Sequence, residues 1–288
     1  MSAIVDLVWR QRAVLGEGPL WDHRDSSLTW LDIKGRRLHR LEAAGGRRSW
    51  TTPGLLACIG LHADGLIGAC DRSLSTLHLS DGEPLTATRL TAAPPAPPQV
   101  RFNDGKIAPD GAFWVGTMDN DEAEDLGDWL RFTADGQVAV VDRGYRVTNG
   151  PAFDAPRQRA FVTDSARQTI FRLEGWSANA CASKRPLRTF GREHGYPDGM
   201  TIDSEGRLWV AFWDGGCVRA IDPVSGDILE EVALPVSRPT SCVFGAADLS
   251  TLFVTSASVG VDGDEVLAGS LFAITGLSAH GCEAAVFG

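Results

Sequence analysis

The sequence repeats one short pattern of strands six times. Each copy has a turn with Asp or Gly, a short apolar strand that often carries Trp, a polar bend and a second, alternating strand. The central residues, at intervals of 37, 47, 47, 48 and 44, are Trp30, Ile67, Trp114, Phe161, Trp209 and Phe253. A four-stranded sheet cannot bury both faces alone, but six can pack face to face around an axis. The pattern predicts an all-β protein, a six-bladed β-propeller, as a single domain over residues 1–288.

The segment IVDLVW, which begins at Ile4, lies outside the first copy of the repeat. We predict that it closes the ring as a strand of the last blade and pairs near residues 284–287. The 32 Gly and 15 Pro favour many short strands joined by tight turns over long helices.

The charge of the chain excludes one large class of partner. The formal net charge is -10, whereas nucleic-acid binding needs a surplus of Lys and Arg on one face. No run of about eighteen uncharged apolar residues is present, and the first residues do not resemble a signal peptide. We therefore expect a soluble, cytoplasmic protein, a monomer or weak oligomer, with no nucleic-acid or membrane partner.

The six cysteines are widely spread and form no CxxC pair. A chain of this length needs no disulfide to stabilise its core. We predict reduced, mostly buried thiols and no thiolate zinc site.

Three distant loops each hold one oxygen-bearing side chain between turn-forming residues. They are LGEGP with Glu17, TNGP with Asn149 and YPDGM with Asp198. Gly and Pro keep such a backbone out of regular strand geometry, so each side chain is expected at a strand end. Equivalent strand ends of a propeller converge at one mouth, and we predict that the three side chains meet there.

Two carboxylates and an amide oxygen are hard ligands, suited to one divalent ion such as Ca²⁺, Zn²⁺, Mg²⁺, Mn²⁺ or Fe(II). Three protein ligands leave positions for water and substrate. An ion in such a site polarises a carbonyl oxygen and lowers the pKa of bound water from ~15.7 toward ~7. Hydrolysis of an ester is the expected chemistry. No HxH or HExxH spacing points to histidine ligands.

Longer motifs carry a resemblance to a known family. They are LGEGPLWD from Leu15, RFNDGKIAPDGAFWVGTM from Arg101, TNGPAFD from Thr148, YPDGMTIDSEGRLWVAFWDGG from Tyr196 and RPTSCVFGAADLSTLFVTSA from Arg238. In this order, they resemble the SMP-30/gluconolactonase/regucalcin family, and within it the bacterial pentonolactone hydrolases.

The resemblance implies a six-bladed propeller that holds one divalent metal and hydrolyses a small-molecule sugar lactone to the aldonic acid. It implies Glu17, Asn149 and Asp198 as metal ligands, and Arg101 and Asn103 as substrate-binding residues. After GTM, animal members carry a Glu that contacts the sugar, whereas this chain reads Asp119, Asn120, Asp121, Glu122.

That departure makes Asp121 or Glu122 the expected substitute for the sugar-contacting Glu. In the predicted mechanism, Asp198 also serves as general base and takes a proton from the attacking water. His194 is close in sequence to Asp198, and Tyr196 and Trp213 are candidates for stacking on a sugar ring. Trp30, Trp114 and Trp209 are expected to be packing residues.

Two other functions are compatible with parts of the sequence. One is a non-enzymatic propeller that binds calcium or docks a protein. The other is a hydrolase of aryl esters or organophosphates, against which the polar Arg101 and Asn103 count. A serine hydrolase is not supported, because no GxSxG motif is present.

Overall fold

The computed structural model describes residues 3–81, 84–177 and 180–288. These ranges contain 25 β-strands in six sheets, with two 3₁₀ turns at Ser165–Arg167 and Arg192–His194. The six sheets are the blades of a β-propeller, as the repeat predicts. Within the described ranges, no helix has the length and hydrophobicity that a membrane crossing needs.

The strands are numbered along the chain, beginning with β1 (Ile4–Trp9). Blade one contains β2 (Gly16–Asp22), β3 (Ser27–Asp32), β4 (Arg37–Leu41) and β5 (Arg47–Thr51), and blade two contains β6 (Leu56–His62), β7 (Gly65–Cys70), β8 (Ser73–His78) and β9 (Thr86–Ala92). Blade three contains β10 (Val100–Ile107), β11 (Phe113–Asp119), β12 (Gly127–Phe132) and β13 (Val138–Tyr145).

Blade four contains β14 (Thr148–Asp154), β15 (Arg159–Asp164), β16 (Thr169–Glu174) and β17 (Ser183–Thr189), and blade five contains β18 (Tyr196–Ile202), β19 (Leu208–Trp213), β20 (Cys217–Ile221) and β21 (Ile228–Ala233). Blade six contains β22 (Pro239–Gly245), β23 (Thr251–Ser256) and β24 (Leu271–Thr275). The last strand is β25 (Val286–Phe287).

The second strand of each blade is the centre of its packing. All six residues that mark the repeat lie in second strands, in β3, β7, β11, β15, β19 and β23, and all six are buried. Trp30, Trp114 and Trp209 are completely buried. The prediction that these three indoles are packing residues is confirmed.

The described residues form two compact units. One comprises residues 3–49 and 190–284, in which β22 contacts both β2 and β18. Its apolar interior includes Trp209, Phe244 and Phe272 in one cluster and Trp9 and Trp30 in another.

The other unit comprises the described residues between 50 and 189 together with residues 285–288, and in it β10 contacts both β6 and β14. Phe113 and Phe132 lie in one apolar cluster of this unit, and Trp114, Trp129 and Tyr145 lie in a second. In each unit, first strands of successive blades therefore lie against one another.

The two ends of the chain join different blades, which corrects one prediction. β1 does complete the last blade, but it pairs antiparallel with β24, with Ile4 opposite Thr275. The predicted pairing near residues 284–287 is wrong, because β25 pairs in parallel with Leu61 and His62 of β6. Phe287 packs in the apolar cluster of blades two and three. Pairing with β1, whose residues are largely exposed, would bury less apolar surface.

The six cysteines are thiols outside any disulfide, as predicted, and four of them are buried. Burial raises the pKa of Cys217 to about 11 and that of Cys181 to about 12, so both remain protonated at neutral pH.

Candidate active site

The predicted site residues lie at a bulge that recurs in the first strand of several blades. In blade one, Glu17 is opposite Leu31 but Leu20 is opposite Thr29, so three steps on β2 match two on β3. The same extra residue follows Asn149 in β14, Pro197 in β18 and Phe102 in β10. A β-bulge redirects the side chains around it and is common beside active sites.

Aspartates at the ends of second strands hold the chain as it enters two of these first strands. The Asp32 carboxylate accepts the N–H groups of Val14 and Leu15 at 2.9 and 3.0 Å, directly before β2. In blade four, Asp164 accepts the N–H groups of Arg146 and Val147, directly before β14. The entries to the strands that carry Glu17 and Asn149 are thus fixed by buried carboxylates.

Glu17 and Asp198 belong to the same unit, on strands that both contact β22. Each side chain is 6% exposed. Glu17 Oε2 accepts the N–H of Gly18, which has φ +53. After Asp198, a Cβ on Gly199 would lie 2.3 Å from Ser241 Oγ, so a glycine allows β18 to approach β22 this closely. The first strands of this unit therefore carry two buried acids, Glu17 and Asp198.

In the other unit, Arg101, Asn103 and Asn149 form one hydrogen-bonded chain. An Arg101 terminal nitrogen donates to Asn103 Oδ1 at 2.8 Å, and Asn103 Nδ2 donates to Asn149 Oδ1 at 2.9 Å. Asn149 Nδ2 donates to Ser165 Oγ at 2.9 Å. Asn103 and Asn149 are 7% and 4% exposed. The structure thus brings together three residues that the sequence predicts for metal and substrate binding.

Asp104 is a buried carboxylate at this site that the sequence analysis did not identify. Its two oxygens accept the N–H of Gly105 at 2.7 Å and of Gly150 at 3.1 Å, so it joins the bulge of β10 to the bulge of β14. Burial raises the pKa of Asp104 to about 6. The NDG sequence in the RFNDGK motif was the available signal.

Asp121 and Glu122 lie on an exposed turn after β11. The turn is organised by Asp119, whose carboxylate accepts the N–H groups of Asp121, Ala123 and Glu124. These hydrogen bonds hold the pKa of Asp119 below its usual value. The neighbouring Asn120 accepts a hydrogen bond from Arg101 Nε at 3.1 Å. A substrate contact by Asp121 or Glu122 stays a prediction.

The predicted aromatic pair is assembled by strand pairing, since Tyr196 at the start of β18 lies opposite Trp213 at the end of β19. The Arg238 guanidinium lies over the Trp213 ring, 4.8 Å from its centroid, and Arg238 Nε donates to Asp214 at 2.6 Å. The His194 ring packs edge-on against Phe190. Roles of Tyr196, Trp213 and His194 in substrate binding stay predictions.

Among the described residues, no group of three or more His, Cys, Asp and Glu side chains is arranged to hold a metal ion. The predicted ligand set contains only two such side chains, Glu17 and Asp198, together with the amide of Asn149. The predicted metal site therefore remains a prediction.

Comparison with known proteins places the chain in a family. Residues 15–258 match the model of the SMP-30/Gluconolactonase/LRE-like region. The chain is 35% identical over 293 residues to the 6-deoxy-6-sulfogluconolactonase of Pseudomonas putida, covering 100% of this chain and 99% of the relative. It is also 35% identical over 253 residues to a pentonolactonase of Haloferax volcanii, covering 87% and 83%.

A solved structure agrees with this assignment. A luciferin-regenerating enzyme superposes with a TM-score of 0.91 at 28% identity and covers 98% of both chains. The match of the family model to most of the chain, with relatives above 30% identity along its length, settles the classification. The chain belongs to the SMP-30/gluconolactonase/LRE-like family.

Proposed function

We propose that this protein is a metal-dependent lactonase that opens a sugar aldonolactone, of the gluconolactone, xylonolactone or arabinonolactone type, to its aldonic acid. The observation that carries the proposal is the position of Glu17, Asn149 and Asp198. Each is a buried oxygen donor at or beside the one-residue bulge in the first strand of its blade. The two relatives named above, a sulfogluconolactonase and a pentonolactonase, support the reaction class.

Glu17, Asn149 and Asp198 are the residues that would hold the ion. The Asn149 amide suits this role, because its oxygen accepts one hydrogen bond, from Asn103, and has a second lone pair for a cation. Two carboxylates and an amide oxygen fit Ca²⁺, Zn²⁺, Mg²⁺, Mn²⁺ or Fe(II). When bound, such an ion polarises a carbonyl group and lowers the pKa of bound water toward ~7.

Asp198 is the proposed general base. Its carboxylate takes a proton from water as the water oxygen bonds to the lactone carbonyl carbon. The ring C–O bond then breaks, the ring oxygen takes up the proton held by Asp198, and the aldonic acid ionises at neutral pH. General base catalysis of this kind contributes about 10²- to 10⁴-fold to the rate.

Arg101 and Asn103 are proposed to hold the sugar hydroxyls. Both N–H groups of the Asn103 amide are used within the protein, on Thr148 O and Asn149 Oδ1. Its oxygen accepts from Arg101 and has one lone pair left for a substrate hydroxyl. Asp121 or Glu122, on the turn that Asn120 links to Arg101, would add an acceptor for a further hydroxyl.

The proposal is tested by following acid release at constant pH from gluconolactone, xylonolactone and arabinonolactone. We expect release well above the spontaneous rate on at least one lactone, loss of that activity with a chelator, and recovery when a divalent ion is restored. In metal-saturated protein, Asp198→Asn should lower kcat by about 10²- to 10⁴-fold. Asp227→Asn, an exposed aspartate in the same blade, should match the wild type.

Two results would contradict the proposal. Activity that a chelator leaves unchanged would remove the metal from the mechanism, and wild-type turnover by Asp198→Asn would remove the general base. Absence of activity on all the lactones would favour the non-enzymatic calcium-binding or protein-docking propeller.

A further inference from the structure

Asn103 uses its amide mainly on the protein. The side chain is buried, and Nδ2 donates to Thr148 O at 2.8 Å and to Asn149 Oδ1 at 2.9 Å. Its Oδ1 accepts from Arg101 at 2.8 Å. A residue that only contacted substrate would not need three hydrogen bonds inside the protein.

These partners allow Asn103 only one orientation. The Arg101 guanidinium can only donate, and the Thr148 carbonyl can only accept. A flipped Asn103 amide would place donor against donor at Arg101 and acceptor against acceptor at Thr148. The Asn103 nitrogen therefore faces Asn149.

The orientation of Asn103 determines that of Asn149. Because Asn103 presents N–H groups, Asn149 must present its oxygen to them, and its nitrogen then donates to Ser165 Oγ at 2.9 Å. Ser165 is itself held, since its N–H donates to Val147 O at 3.0 Å and its carbonyl accepts from the Gln168 N–H. The Ser165 hydroxyl oxygen accepts this N–H, which is compatible with the direction that Asn103 imposes.

We infer that Asn103 is a positioning residue for Asn149: by donating to Asn149 Oδ1, it holds the amide with its oxygen available to a divalent cation. The inference rests on the proposed function, in which Asn149 is a metal ligand. It gives Asn103 a role in cation affinity that is separate from contact with the sugar.

The physical basis is the asymmetry of an amide. An amide has one oxygen, and the flipped group would direct an N–H₂ donor at the cation. A carboxylate has two equivalent oxygens, so rotation by 180° leaves its ligand atoms unchanged. Loss of Asn103 should therefore weaken cation binding when residue 149 is the native amide and have little effect when it is replaced by a carboxylate.

A double-mutant cycle tests this inference with purified, metal-stripped protein. Calorimetric titrations with Ca²⁺, Mn²⁺ and Zn²⁺ would select the ion that the wild type binds best. The same ion is then titrated into Asn103→Ala, Asn149→Asp and the double variant. Outer-shell partners of metal ligands are typically worth 10- to 100-fold in affinity. We expect Asn103→Ala to weaken binding at least about 10-fold in the wild-type background and less than about threefold in the Asn149→Asp background.

Two further variants keep the test decisive. Asn120→Ala removes the other amide bonded to Arg101 and should leave cation affinity unchanged. If Asn103→Ala lacks the circular dichroism of the folded protein, Asn103→Ser replaces it, since serine leaves a polar group beside Arg101 but is too short to reach Asn149.

Each outcome has one meaning. Unchanged affinity in Asn103→Ala would overturn the inference and leave the proposed function intact. Equal losses in both backgrounds would overturn it by making Asn103 a direct ligand. Absence of cation binding by the wild type would instead reject the proposed metal, and the inference with it.

Discussion

Single buried polar residues carry much of the local order of this protein. A hydrophobic pattern in the sequence predicts no role for Asp32 or Asp164. Each nevertheless accepts two backbone N–H groups at the entry to a first strand. A carboxylate can accept several such bonds, and an unpaired buried N–H group would cost free energy. The position of Glu17 and Asn149 thus depends on acids that are not themselves proposed ligands.

His39 is a buried titratable residue outside the candidate site. Its ring lies 4.3 Å from the Trp30 ring and its Nδ1 is 2.7 Å from Ser49 Oγ. Burial lowers the pKa of His39 to about 4, with a smaller lowering by Arg37 and an opposing effect of Asp32.

We predict that His39 makes the protein less stable in mild acid. The unfolded imidazole, with a pKa near ~6.5, binds a proton that the folded one does not bind until about pH 4. Unfolding therefore takes up a proton between these values, and stability falls as the pH is lowered through this window. The total loss is roughly 3 kcal/mol.

The measurement is the free energy of unfolding of wild type and His39→Phe from pH 7 to pH 4. The advantage of the wild type over the variant should shrink as the pH falls. His78→Gln, which changes an exposed histidine, should follow the wild type. A constant difference between wild type and His39→Phe would show that His39 does not titrate in this way.

At the scale of the element, a β-bulge near the start of the first strand recurs in each of the six blades. The extra residue lies there in blades one, three, four and five, beside the candidate site residues, and also in blades two and six. An extra residue there bends the strand and changes which side chains face the interior. Glycines within the bulges permit this geometry: Gly18 and Gly150 have positive φ, and a Cβ on Gly105 or Gly199 would lie 2.5 or 2.3 Å from a neighbouring atom.

Gly105, at the end of the β10 bulge, gives a direct test. A Cβ at this position would lie 2.5 Å from Trp114 O and 2.7 Å from Cys58 Sγ. Because a backbone atom must move, we expect Gly105→Ala to destabilise the protein by about 1–3 kcal/mol. Chemical denaturation measures this loss. Gly263→Ala, where an added Cβ meets nothing within 4 Å, should be nearly neutral. Equal stabilities of the two variants would contradict a tight bulge.

At the scale of the whole molecule, the chain ends are the least regular part of the repeat. The first described strand, β1, supplies the fourth strand of the last blade, whereas β25 becomes a fifth strand of blade two. β25 is only two residues long, so its pairing depends on the side chain of Phe287 more than on its backbone hydrogen bonds.

We predict a large difference between the two residues of β25. Phe287 is 7% exposed and packs in the cluster that contains Ile67 and Phe113, whereas Val286 is 37% exposed. Phe287→Ala should lower the free energy of unfolding by about 3 kcal/mol, and Val286→Ala by less than ~1 kcal/mol. Thermal and chemical unfolding of the pair test this, and similar losses would mean that the side chain does not anchor the end.

The repeat was sufficient for the fold, and the three loop motifs indicated Glu17, Asn149 and Asp198, whereas Arg101 and Asn103 came from the family resemblance and Asp104 was missed. Six apolar centres at a regular spacing can bury their faces only as blades, so Trp30, Trp114 and Trp209 were correctly assigned to the core. The partner of the last residues was not predictable, because two residues such as Val286 and Phe287 carry too little pattern to choose among sheet edges.

Local pattern determined which residues are strands, turns and candidate ligands, because alternation and Gly/Pro placement act between near neighbours in sequence. Only the tertiary structure decided the direction of the hydrogen bonds from Arg101 through Asn103 to Asn149, and the burial of Asp104 between two bulges. The orientation of the Asn103 amide depends on Thr148 and Asn149, which lie 45 and 46 residues away, and a periodic sequence pattern does not predict such pairs.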